Sequence, residues 1–261
     1  MNDNLKFFSW LPPSYLLQSI LDILTKFYII ILDYLWQSRN LWRIIMTKKE
    51  HRSRIFVLLA GLLIYQLGVS IILLSNLGAD PFNVLVQGFL GTMNHANISF
   101  LSHGCVHIIL SLVLTFLLFL LNKNLVTPGT TICAFLGGPL IDLFCKILAP
   151  VYEVYTNSAY FYLMFAAGFM MLAYGFTMML CSKAGMSPNE LLIEAFTNHK
   201  KRNSFAVTLV IYLVYAFIGF ITGGSIGFST LLCLATLVPL VEYFQPNLSK
   251  KIETYIKKHA V

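Results

Sequence analysis

Six runs of almost unbroken apolar residues constrain this chain more than any other feature. They cover residues 55–77, 104–122, 129–148, 160–182, 206–223 and 228–245. A helix needs about 20 mostly apolar residues to cross roughly 30 Å of hydrocarbon, so each run is long enough to span a bilayer. The 261 residues are 57% hydrophobic and 11% charged, against about 25% charged in soluble domains. That excludes a cytosolic globular enzyme, a disordered chain and a small disulfide-stapled secreted domain. The chain reads as an all-α polytopic membrane protein in contact with a lipid bilayer.

The net charge of +7 comes from 18 Lys and Arg against 11 Asp and Glu. In a soluble chain it would point to nucleic acid. Here it follows the rule that cytoplasmic loops collect Lys and Arg. With the N-terminus inside, 17 of the 18 fall on the cytoplasmic side and only Lys146 falls outside, so both termini are placed in the cytoplasm. Residues 14–37 mimic a seventh span, but Asp22, Lys26 and Asp33 fall on one stripe of a helix. A charge at mid-bilayer costs roughly 2.5–3.5 kcal/mol, so this segment is expected to lie in the interface, anchored by Trp36 and Trp42. The five cysteines show neither zinc spacing nor a secreted framework and are expected to be reduced.

The chain repeats itself. Shifted by 107 residues, Ala60, Gly61, Gly68, Leu73, Ser75, Gly78, Pro81 and Leu85 meet identical residues, from Ala167 to Leu192. Shifted by 100, Thr130, Cys133, Pro139, Leu140 and Phe144 meet Thr230, Cys233, Pro239, Leu240 and Phe244, and Asp142 meets Glu242. Each half reads as span, short amphipathic helix, span, span. Three spans is an odd number, so the second half enters from the opposite side, an inverted 3+3 plan used by secondary transporters. The segments expected are 1–50 (interfacial helix and basic stretch), 51–148 and 149–246 (the repeats), and 247–261 (a basic cytoplasmic tail).

Within that plan the motifs sort by chemistry. Gly61 and Gly68, like Gly168 and Gly175, recur at seven-residue spacing, which returns within about 20° of the start and makes a helix-packing stripe. Gly78-Ala79-Asp80-Pro81 and Gly185-Met186-Ser187-Pro188 each end a span and start a helix, running Pro81 to about His95 and Pro188 to about His199. Asp80 and Ser187 suit N-caps, and Glu190 can close a capping box with Ser187. In the sharper reading these N-termini dip into the membrane and hold a solute, which makes Asp80, Asn83, Ser187, Asn189 and Glu190 binding candidates. Gly138-Pro139 and Pro239 are expected to break the third and sixth spans, and Thr130, Thr230, Asp142 and Glu242 flank those breaks as further candidates. Asp142 could equally pair with Lys146 at i, i+4. His103 and His107 have metal-sharing spacing but lack a third ligand, so no metal is expected. Without a Walker loop, dinucleotide fingerprint or nucleophile motif, no catalytic residue, enzyme activity or cofactor is assigned.

Three segments carry a family resemblance: Gly78 to Leu85, Gly185 to Glu190, and Gly138 to Phe144. Through them residues 52–246 resemble the YczE/YyaS/YitT family of bacterial integral membrane proteins, in particular its YczE-like branch. The resemblance implies a multi-pass protein of the bacterial plasma membrane and brings no assigned site with it. The resulting expectation is a small-solute transporter of secondary or facilitator type, its site between inverted repeats and its solute unidentified. The alternative is a non-transporting membrane subunit, scaffold or sensor with a protein partner or a second copy of itself. Nucleic acid is not an expected partner.

Overall fold

The computed structural model describes residues 48–95, 101–121, 123–155, 159–199 and 203–260, all within the compact unit Lys48–Val261. The interfacial helix expected over 14–37 lies outside the described residues. Eight α-helices follow one another, with no strand among the described residues. They are α1 (Lys48–Leu74), α2 (Pro81–His95), α3 (His103–Leu121), α4 (Pro128–Tyr155), α5 (Ala159–Ser182), α6 (Pro188–His199), α7 (Ser204–Ile221) and α8 (Phe228–Ala260). Six of them, all but α2 and α6, are long and apolar enough to cross a membrane. The protein is an all-α, multi-pass membrane protein. The two short helices start and stop at the residues their punctuation predicts.

The glycine stripes meet each other. A Cβ on Gly61 would press on the Gly175 carbonyl, and one on Gly68 would lie 2.5 Å from the backbone of Leu172, close to Gly168. Ascending numbers in α1 thus meet descending numbers in α5, so the two helices run antiparallel with their backbones in contact. Small residues permit that approach, and in lipid close packing is what holds helices together.

Each short helix packs on a span from the other end of the sequence. Helix α2 lies on α7, where Gly88 and Gly219 leave no room for a side chain between them. Helix α6 lies on α3 and α7. The turns ahead of them behave alike. The turn at Gly78 packs on Gly227, and its Leu77 carbonyl accepts from the amide (2.9 Å) and hydroxyl (3.1 Å) of Ser229. The turn at Gly185 packs on Gly129 and Thr130, and its Ala184 carbonyl accepts from the Thr127 hydroxyl at 3.0 Å.

Two expectations change. Helices α4 and α8 run through Pro139 and Pro239 without interruption. A proline within a spanning helix removes one intrahelical hydrogen bond and does not by itself end the helix. Gly138 is a notch that admits the backbone of Gly104 in α3, and Gly137 admits Gln66 and His107. The second change concerns the basic segment from residue 247, which continues α8 as helix to Ala260. Leu248, Ile252 and Ile256 repeat every four residues and pack against Val57 of α1 and Cys181 of α5. Arg54 joins the same corner, donating to the Ser182 carbonyl at 3.2 Å and pairing with Glu50 at 2.9 Å, while Lys183 pairs with Glu253 at 2.7 Å.

Candidate functional site

The first turn of α6 puts Glu190 one helical step inside the Gly185 turn. Its side chain is 2% exposed. The Tyr65 hydroxyl of α1 donates to Oε1 at 3.2 Å. The Tyr212 hydroxyl of α7 lies 3.3 Å from Oε1 and 3.2 Å from Oε2, and Asn189 Nδ2 donates to Oε1 at 3.1 Å. Tyr65 is held in place because Gly175 lets α5 press on its backbone. The capping box expected here does not form. The Ser187 carbonyl accepts the first helical amides, but its hydroxyl is buried without a hydrogen-bond partner beside the Cys133 thiol. Tyrosine donors from two other helices draw the carboxylate away from the cap.

A cleft of about 220 Å³ leads to this group. Its polar lining includes Glu190, Glu194, Glu242, Tyr212, Thr208 and Gln245, and most of its apolar wall comes from α5, α6 and α8. Two expected candidates, Glu190 and Glu242, therefore share one cavity although 52 positions separate them. The lining belongs to the second half of the chain, with Tyr65 of α1 behind it.

The first half uses its polar residues differently. Asp80 caps α2: Asn83 donates to it from its amide (3.3 Å) and from Nδ2 (2.7 Å). Asn83 Oδ1 remains an acceptor and lies 2.8 Å from His103 Nε2, which assigns the proton to that nitrogen. Asp142 does not pair with Lys146 as the i, i+4 spacing suggested. It reaches from α4 to the start of α3, accepting from the Gly104 amide at 2.8 Å and from the Ser102 hydroxyl. A carboxylate at a helix N-terminus satisfies amides that the helix leaves free, so Asp142 clamps α3 to α4. Thr230 donates to the Ala79 carbonyl at 2.6 Å, and Thr130 shares a hydrogen bond with Thr127 at 3.1 Å. Neither threonine lines the cleft.

Asp80 and Glu190 lie outside the six spanning helices. Burial pushes both carboxyls up, and the negative charge of Asp80 adds to the shift at Glu190, while the tyrosines and Asn189 oppose it. The balance carries Glu190 to about 7. No Lys or Arg pairs with either carboxylate among the described residues. Nor do any three His, Cys, Asp or Glu among them group so as to hold a metal ion. The sequence reading missed Tyr65, Tyr212, Tyr215 and Gln66. Their signal was available, since a hydroxyl or amide inside an apolar span needs a partner once buried.

A family model described as "Family of unknown function (DUF6198)" matches residues 52–246. The chain belongs to this family. The matched stretch of this DUF6198 protein opens in α1 and ends in α8, so it includes every cleft residue. The uncharacterized protein YyaS of Bacillus subtilis (strain 168) is 26% identical over 187 residues, covering 71% of this chain and 89% of the relative. An uncharacterized protein of Haemophilus influenzae is 24% identical over 209 residues, covering 80% and 88%. No solved structure matches the chain.

Proposed function

We propose that this protein carries a small solute across the bacterial plasma membrane, as two three-span halves of opposite orientation with both termini cytoplasmic. The observation that carries the reading is the cleft that reaches from the surface of the helical body to a buried carboxylate gripped by tyrosines from α1 and α7. The antiparallel contact of α1 with α5 suits inverted halves, and the distribution of Lys and Arg suits the orientation. Three glutamates in one cleft favour a solute that is cationic or rich in hydrogen-bond donors. The Tyr65–Glu190–Tyr212 grip, drawn from three helices, is the contact that must loosen for the solute to pass.

Uptake into proteoliposomes, with a panel of labelled amines, amino acids and polyols, tests this directly. Glu190→Gln and Glu242→Gln are each expected to cut uptake of the responding solute by at least about tenfold, the loss of roughly one charge-assisted hydrogen bond. Uptake that neither change affects removes the cleft as the site.

A further inference from the structure

Two carboxylates at the starts of α2 and α6, Asp80 and Glu190, are 5% and 2% exposed, and no Lys or Arg among the described residues pairs with either. A buried unpaired carboxylate is costly, and a second one within its field makes full ionisation of both costlier still. The groups around Glu190 do not relieve this. They are Tyr65 on α1, Asp80 ahead of α2, Tyr212 and Tyr215 on α7, Cys233 on α8 and Glu194 and Glu242 along the cleft. The Cys133 thiol of α4 lies behind Ser187, and α3 meets α6 through Leu118 packed near Leu191. On the Asp80 side, Asn83 stands between the carboxylate and His103 of α3. No Lys or Arg is among these described groups. A second, independent feature is the Tyr215 hydroxyl. It stands one turn along from Tyr212, is 5% exposed, lies within the field of Glu190 and has no hydrogen-bond partner. It is hydrogen-bonding capacity left unused beside a group that gains an O–H on protonation.

We propose that Glu190 is a proton-binding site reached through the cleft, and that a proton is the ion this carrier binds besides its solute. Coupling to solute rests on the carrier reading above, whereas the proton site does not. The step is a simple ionisation: the Glu190 carboxyl O–H breaks, its electrons stay on the carboxylate, and the proton passes to cleft water. Protonation removes one of two like charges from the interior, and release restores the acceptor that Tyr65, Tyr212 and Asn189 surround.

Infrared titration of the full-length protein in lipid vesicles tests the site without any solute. A protonated-carboxyl C=O band is expected at neutral pH, fading as pH rises and shifting when the vesicles are moved into heavy water. It should be missing in Glu190→Gln. In Asp80→Asn, which keeps a good cap, its midpoint should fall by roughly one pH unit. A spectrum with no such band, or a band that survives Glu190→Gln, overturns the proposal. Thermal unfolding gives a second readout. A carboxyl raised from 4.5 to about 7 in the fold stabilises most at low pH and loses that stabilisation as pH rises through this window. Wild type should therefore lose stability across it relative to Glu190→Gln, and parallel curves for the two proteins overturn the proposal. If no solute is taken up but the band behaves as described, the carrier reading fails and the proton site stands. If solute is taken up but Glu190 is ionised at neutral pH, the proton site fails and the carrier reading stands.

Discussion

The turns at Gly78 and Gly185 have similar backbones and different chemistry. Asn76 and Lys183 take left-handed conformations, φ 53° and 54°, and Gly78 and Gly185 follow at φ 96° and 140°. Ser75 and Ser182 end their spans alike, each donating to a carbonyl three residues back and accepting an amide two residues on. Beyond the proline the two diverge. In the first turn Asn83 donates to Asp80 and binds His103 through its Oδ1, so these polar groups are used locally. In the second, Ser187 caps nothing with its hydroxyl, and Glu190, the counterpart of Asn83, turns outward to tyrosines and the cleft. A repeated scaffold has thus been closed at one copy and left chemically open at the other.

The comparison can be broken most severely at its shared glycines. Alanine at Gly78 would carry a Cβ 2.6 Å from the Gly227 backbone, and alanine at Gly185 would set one 2.6 Å from the Thr130 amide, both at positive φ. Each is expected to cost about 3 kcal/mol or more, read as a large drop in thermal midpoint in detergent. If one turn accepts alanine freely, the two do not share their constraint. Smaller and unequal effects should follow at the next position. Asp80→Ala removes a working cap and should cost about 1–2 kcal/mol, whereas Ser187→Ala removes an unpartnered hydroxyl and should stay within about 0.5 kcal/mol. Equal costs would mean that Ser187 caps its helix in the working protein. Tyr212→Phe is expected to cost about 0.5 kcal/mol by deleting one of several donors to Glu190. In the infrared titration it should raise the Glu190 midpoint, because that hydrogen bond favours the charged form.

The stability of the corner at Arg54 illustrates what reading along the chain can miss. The basic residues after 246 look like a solvated tail, yet Leu248, Ile252 and Ile256 share one helical face and dock it on α1 and α5. The four-residue spacing was present in the sequence, but the partner surface, Val57 and Cys181, lies far away along the chain. The prolines of α4 and α8 teach the same lesson in reverse. Local rules make Pro139 a break, and the close approach of Gly104 to Gly138 makes it a place where two helices pack.

What the sequence determined by itself is everything set by local length and punctuation. Six apolar runs decide six spans, Gly-x-x-Pro decides where α2 and α6 begin, and the seven-residue glycine stripes decide which faces of α1 and α5 can touch. These follow from hydrophobic length, the four free amides of a helix start and the volume of a missing side chain, none of which needs a distant partner. Only the tertiary structure decided where the carboxylates went. Glu190 reaches Tyr65, 125 residues away, instead of Ser187, and Asp142 reaches Ser102 and Gly104 instead of Lys146. A buried charge goes to the best donors that packing brings within about 3 Å, and which donors those are is settled by helices meeting across the bilayer.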